Sequence, residues 1–157
     1  DSGGKRPPDH FSLEARMASG FVTNTTNTSL TAGTFGSTLL AEQTSGSPSD
    51  ARSRAIPGAC SFAQLDLSFT AYADPTKKIA CYLTWDSAGD DPMTAKVTGV
   101  TLTAGGTANT AHTVISLDKL FITAPSGQTT TGKCYLWIDA GEDCTLNKAR
   151  LHWHDRT

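Results

Sequence analysis

The sequence predicts an all-β protein: an antiparallel β-sandwich of about eight strands, preceded by an extended N-terminal arm. Three observations carry this. Threonine supplies 24 of the 157 residues, and a β-branched hydroxyl residue suits a pleated, half-exposed surface better than a helix. Apolar and polar residues alternate along several stretches, the period of two that marks a strand with one buried face. Clusters of Asp, Gly, Pro and Asn interrupt these stretches at short intervals, as turns between strands do. Jelly-roll and immunoglobulin-like connectivities both fit this pattern.

Taken in order, residues 1–20, DSGGKRPPDHFSLEARMASG, mix Gly, Pro and small charged groups and hold too little apolar surface to order themselves. They read as an arm, and residues 21–157 as a single domain. The arm is either a plain disordered terminus or a clamp that orders on a neighbouring subunit. In the second case Phe11, Leu13 and Met17 are its apolar anchors, with Lys5 and Arg6 as charged contacts. Short strands are expected over 21–23 and 37–43, and a long exposed loop over 45–54. Asn24-Thr25-Thr26 and Asn27-Thr28-Ser29 match the glycosylation sequon, a match that chance explains in a Thr-rich segment.

Residues 59–73 alternate cleanly, which puts Ala63, Leu65, Leu67, Phe69 and Ala71 on the inward face of a long strand. The turn Asp74-Pro75-Thr76-Lys77 is expected to return the chain as a hairpin. The returning strand turns Ile79, Cys81, Leu83 and Trp85 inward, and Ala80, Tyr82 and Thr84 outward. Apolar runs over 97–103 and 112–117 flank the loop AGGTANT, and 120–123 adds a further run. A last hairpin is expected from 133–139, the turn AGED, and 144–154. Its first strand repeats the earlier design: Cys134, Leu136 and Ile138 face in, Tyr135 and Trp137 face out, and Asp139 follows as Asp86 does. The predicted core is Leu65, Leu67, Phe69, Leu83, Trp85, Leu136, Ile138, Leu151 and Trp153.

Composition narrows the chemistry. A formal net charge of −2, with no clustering of Lys and Arg, offers nothing to neutralise a run of phosphates, so direct nucleic-acid binding is not expected. No apolar run approaches the roughly 20 residues that cross a bilayer as a helix. The four cysteines have no metal-knuckle spacing, and neither sequential pair sits close enough to bridge. A Cys81–Cys134 disulfide across the sandwich and buried free thiols both remain open.

Asp86, Asp90 and Asp91 in one turn, with Asp139, Glu142 and Asp143 in its twin, are oxygen-ligand candidates for calcium if folding brings the turns together. His152 and His154 stand at i and i+2 on one strand face with Lys148 and Arg150, but no third zinc ligand accompanies them. The sequence has no G-x-S-x-G elbow, no H-E-x-x-H and no glycine-rich phosphate loop, and the expectation is a protein that is not an enzyme. Tyr82, Tyr135 and Trp137, opposite the apolar faces of their strands, are candidates for an aromatic patch that meets a partner protein or a sugar ring, unless both faces of those strands are buried.

The stretches YLTWDSAGDD, TAPSGQTTTGKCYLWIDAG and ARLHWHDR, within 78–156, resemble parts of small Thr- and Gly-rich β-proteins in the structural modules of tailed bacteriophages. The resemblance is one of texture and contains no diagnostic motif. It implies a virion structural protein without catalytic activity, assembled in the host cytoplasm. The expected role is capsid decoration (cement), in which the protein binds the major capsid protein or other virion subunits; a tail or fibre head that recognises a cell-surface glycan is the alternative. No cofactor is expected beyond the calcium candidates. Exposed Thr-rich strand edges favour a closed homo-oligomer, a trimer first, because symmetric association hides unpaired edges.

Overall fold

In a computed structural model of the chain, the described residues are 19–43, 53–57, 59–123 and 132–155. They form ten strands: β1 (Ser19–Thr23), β2 (Thr28–Leu30), β3 (Gly36–Leu40), β4 (Ala59–Thr70), β5 (Ile79–Thr84), β6 (Val97–Val100), β7 (Thr103–Ala104), β8 (Thr110–Thr123), β9 (Cys134–Asp139) and β10 (Cys144–Asp155). Two antiparallel sheets pack against each other. One runs β1-β10-β4-β8-β7, with β2 also paired to β10, and the other runs β3-β9-β5-β6. The all-β sandwich predicted from the alternating pattern is the fold observed.

The pairing also resolves the connectivity. β1 pairs with β10, β3 with β9, β4 with β8, and β5 with β6, every pair antiparallel. The first half of the chain thus meets the second half in reverse order, like one long two-stranded ribbon with its tip at β5 and β6. The ribbon lies alternately in one sheet and the other. A ribbon wound in this way is a jelly roll, and the immunoglobulin-like alternative is set aside.

Both hairpins expected from the sequence are instead corners between sheets. β4 and β5 lie in different sheets, as do β9 and β10. The turn at 74–77 does form, with Lys77 N–H donating to the Asp74 carbonyl at 3.1 Å, but it carries the chain across the sandwich. A strand, turn and strand with inward apolar faces look alike in sequence whether the strands pair through their backbones or face each other across a core. The two corners interlock. The buried Tyr72 hydroxyl donates to the Lys77 carbonyl at 2.6 Å and accepts from Gly141 N–H at 3.3 Å, and Asp74 N–H donates to the Glu142 carboxylate at 2.8 Å.

All nine predicted core residues are buried. The inward face of β4 differs in phase from the expectation, because its pairing with β10 steps from Phe62 to Gln64 and leaves Ala63 as an extra residue in a bulge. Cys60 and Phe62 are therefore buried before the bulge, and Leu65, Leu67 and Phe69 after it. Ala71 is exposed with φ at 57°, a left-handed turn that swings Tyr72 into the core in its place.

Asn24, read as part of a chance sequon, has a structural task. β1 stops at Thr23 opposite Arg150, and β2 resumes opposite Leu146. Between them β10 bulges at Asn147. The Asn24 side chain fills the gap: its Oδ1 accepts Ala149 N–H at 2.8 Å, and its Nδ2 donates to the carbonyls of Thr26 at 2.9 Å and Asn147 at 3.3 Å. Asn24→Ala leaves these backbone groups unpaired and is expected to cost about 1–3 kcal/mol, read as a lower urea midpoint at constant m-value. An unchanged midpoint contradicts the bridging role.

All four cysteines are buried and none is in a disulfide. Cys81 and Cys134 share a sheet and do not face each other across the sandwich. Cys81 pairs with Ile138, so Cys134 lies four positions further along β9, roughly 13 Å at the usual strand rise, beyond disulfide reach. Burial pushes the Cys81 thiol up to about 12 and, with help from Glu142 and Asp143, Cys144 up to about 11, against an ordinary value near 9. The fold therefore keeps protons that the unfolded chain releases above pH 9. With fewer protons on the unfolded state, stability falls as pH rises from about 9 towards 12. Urea midpoints at pH 8 and pH 10.5 are expected to show this fall, and Cys81→Ala to make it shallower; an equal slope in that variant contradicts the assignment.

Candidate functional site: an aromatic face on the four-stranded sheet

The sequence-predicted patch assembles through strand pairing. β5 and β9 are neighbours, with Tyr82 opposite Trp137 and Thr84 opposite Tyr135. β3 continues the rows, with Ser37 beside Trp137 and Leu39 beside Tyr135. The inward positions of β5 and β9 are filled by Ile79, Cys81, Leu83, Cys134, Leu136 and Ile138, so strand alternation turns Tyr82, Tyr135 and Trp137 outward, where each is half-buried.

The rings of Tyr82 and Trp137 lie parallel to within 5° with centroids 6.0 Å apart, and Phe35 meets Tyr82 edge-on at 5.2 Å. Both are favourable aromatic geometries. The indole of Trp137 is held in place from three sides. Its N–H donates to Thr84 Oγ1 at 3.0 Å, and the Thr84 hydroxyl donates onward to the Asp86 carbonyl at 2.7 Å. Gly89, at φ 82°, lies so close that a Cβ there would come within 3.0 Å of the indole. Tyr82 closes the third side. Lys96 sits above the cluster with Nζ 4.8 Å from the Phe35 centroid and 5.9 Å from that of Tyr82, a cation–π arrangement. Beside Tyr82 a shallow groove of about 470 Å³ runs along Pro92, Met93, Thr94, Ala95 and Lys96.

Phe35 and Lys96 are absent from the sequence-based patch. Both lie in loops, where no periodicity announces which way a side chain points.

The calcium candidates do not converge. Ala80 at the start of β5 pairs with Asp139 at the end of β9, so the turn after Thr84 lies at the other end of the sheet from the turn after Asp139. The carboxylates have local work instead. Asp86 accepts the N–H groups of Asp91 at 2.9 Å and Asp90 at 3.0 Å, and these bonds, the one from Asp91 foremost, hold its carboxyl below the usual range. Asp139 accepts from Gly33 N–H, Asp143 from Ala32 N–H, and Glu142 from Asp74 N–H. Among the described residues no group of three His, Cys, Asp or Glu is placed to hold a metal ion.

His152 is likewise engaged. Its Nε2 stands 2.9 Å from Asp66 Oδ2, while Asp66 Oδ1 accepts from Gln64 Nε2 at 2.8 Å. Phe21 packs against the His152 ring and the Arg150 guanidinium. His154 is exposed. The arm candidates Lys5, Arg6, Phe11, Leu13 and Met17 lie outside the described residues.

Fold and surface together define the class: a jelly-roll sandwich that presents a preformed aromatic face on its four-stranded sheet. No protein-family model matches the chain, and no curated protein matches it.

Proposed function

We propose that the chain is a non-enzymatic structural protein of a virion, a capsid decoration (cement) protein that binds and stabilises capsid subunits. The observation that carries this reading is the aromatic face. Tyr82, Trp137 and Phe35 pack on one another, and the Trp137 indole is also hydrogen-bonded to Thr84, so these side chains lose little rotamer freedom when covered, which makes Tyr and Trp frequent interface anchors. The fold supports it more loosely: jelly rolls recur in viral capsid and lectin domains, while a fold alone assigns no function. Capsid subunits and further copies of the chain, in a closed oligomer with a trimer favoured, are the partners. The virion is its place.

The parallel Tyr82 and Trp137 rings beside an open groove favour a second reading, recognition of a cell-surface glycan by stacking on a sugar ring. One experiment separates the two: the purified chain is applied to capsids lacking decoration and to a glycan array. Retention on capsids, lost in the double variant Tyr82→Ala/Trp137→Ala, supports decoration. Retention on sugars alone replaces it with glycan binding.

A further inference from the structure

We propose that the free edge of β3 pairs antiparallel with the β3 of a second copy of the chain, about a two-fold axis at Thr38. β3 is an outer strand of the four-stranded sheet, with β9 on one side only. Ala41, just past its end, shows which backbone groups face the open side. Its N–H and C=O both bond Thr23 of β1, at 3.0 and 2.9 Å, and so point away from β9. Alternation along the strand directs the N–H and C=O of Leu39 and Ser37 the same way, and those of Gly36, Thr38 and Leu40 towards β9. The rest of the sheet keeps this phase: Leu136 lies between Thr38 and Leu83, and Leu83 sends its N–H and C=O outward to Thr94 and Met93. The four groups of Ser37 and Leu39 have no partner among the described residues.

Other edges among the described residues are short, broken or covered. β7 has two residues and β2 has three. β6 shifts register against β5 and contains Gly99 at φ 65°, and β8 steps out of register between Ser116 and Leu120. On β1 the Phe21 carbonyl accepts from Arg54 N–H and the Ser53 hydroxyl. β3, by contrast, keeps one register with β9 over all five residues, and no charged residue or proline stands between Ser19 and Ala41. Sheets ordinarily protect an open edge with charge, proline, a bulge or a cover, and β3 has none of these among the described residues.

A second copy fits this edge because the free groups match themselves. Rotation about Thr38 sets Ser37 opposite Leu39 of the second copy and Leu39 opposite its Ser37. Each pair exchanges two N–H···O=C bonds, so the four groups on one edge satisfy the four on the other. Thr38 then meets Thr38 of the second copy, a favourable cross-strand pair, and no like charges face each other. Both edges are already ordered by β9, so little backbone freedom is lost. The result is one sheet of eight strands with the aromatic faces of both copies on the same side. Two linked faces hold a repetitive surface more tightly than one; that use rests on the decoration reading, and the pairing itself does not. The contact closes with two copies, so it assigns a dimer in place of the trimer favoured from edge composition.

Sedimentation equilibrium of the full chain over a wide concentration range tests the proposal, and twice the chain mass is expected. Ser37→Pro removes an N–H that bonds nothing within the monomer, a change that an edge strand tolerates. It deletes two of the four bonds and is expected to raise the dissociation constant about tenfold. A chain carrying Ser37→Lys and Leu39→Lys sets like charges opposite each other in its own dimer, as does one carrying Ser37→Glu and Leu39→Glu. Each is expected to be monomeric where the unaltered chain is dimeric, and an equimolar mixture of the two to recover the dimer, which misfolded variants do not. A chain that is monomeric at every concentration, a trimer, variants that keep the dimer, or a mixture that stays monomeric each overturn the pairing. Capsid retention separates the two readings: a dimer that capsids do not retain supports the pairing and rejects decoration, while a retained chain that never dimerises rejects the pairing and leaves decoration intact.

Discussion

Leu67→Ala is expected to lower stability by about 2–5 kcal/mol, the range for emptying a large apolar site in a packed core. Leu67 is 1% exposed and sits in the middle of β4, which is paired on both sides, to β10 through Ala149 and to β8 through Thr113. Backbone held from both sides cannot collapse far into the space left behind, so the upper half of the range applies. Urea unfolding followed by tryptophan fluorescence measures it. A loss below about 1 kcal/mol would mean that the site repacks freely, contrary to the packing described.

The interlocked corners give the second large effect. Tyr72→Phe removes the hydroxyl that bonds both Lys77 and Gly141, and is expected to cost about 1–3 kcal/mol because the partners stay in place without it. A Cβ at Gly141 would meet Lys77 Cβ at 2.7 Å, the Lys78 carbonyl at 3.0 Å and the Tyr72 hydroxyl at 3.0 Å. Gly141→Val therefore forces the same two corners apart. The effects should not add: with the corners already separated, Tyr72→Phe has less left to lose. A double variant whose loss equals the sum of the single losses contradicts the interlock.

Much of the fold was legible in the sequence, for a physical reason. A half-buried strand writes its inward face into the sequence at a period of two, and Ile79, Cys81, Leu83 and Cys134, Leu136, Ile138 show this without interruption. What period two does not record is the partner. The residues of β4 and β5 look like a hairpin because each has an inward face, yet β4 pairs with β8 and β10, and β5 with β9 and the following β6, so neither strand pairs with the other. Bulges escape for a related reason: Ala63 and Asn147 are ordinary residues, and the extra position shows only against a neighbouring strand.

The site was legible to the same extent. Tyr82, Tyr135 and Trp137 follow from alternation, and their meeting follows from the shared design of β5 and β9. Phe35 and Lys96 come from loops whose course depends on the whole fold. The acidic turns misled because Asp serves turns and metals with the same oxygens. Asp86 spends those oxygens on backbone N–H groups, and only the placement of the two turns at opposite ends of the sheet separates the two uses.

Electron microscopy of capsids incubated with the purified chain tests the central proposal most directly. The account predicts discrete density on the outer surface of the capsid at a fixed symmetry position, fitted by the two-sheet jelly roll, with the face of Tyr82, Tyr135 and Trp137 covered by protein. Bare capsids, or bound density with that face open to solvent, would contradict it.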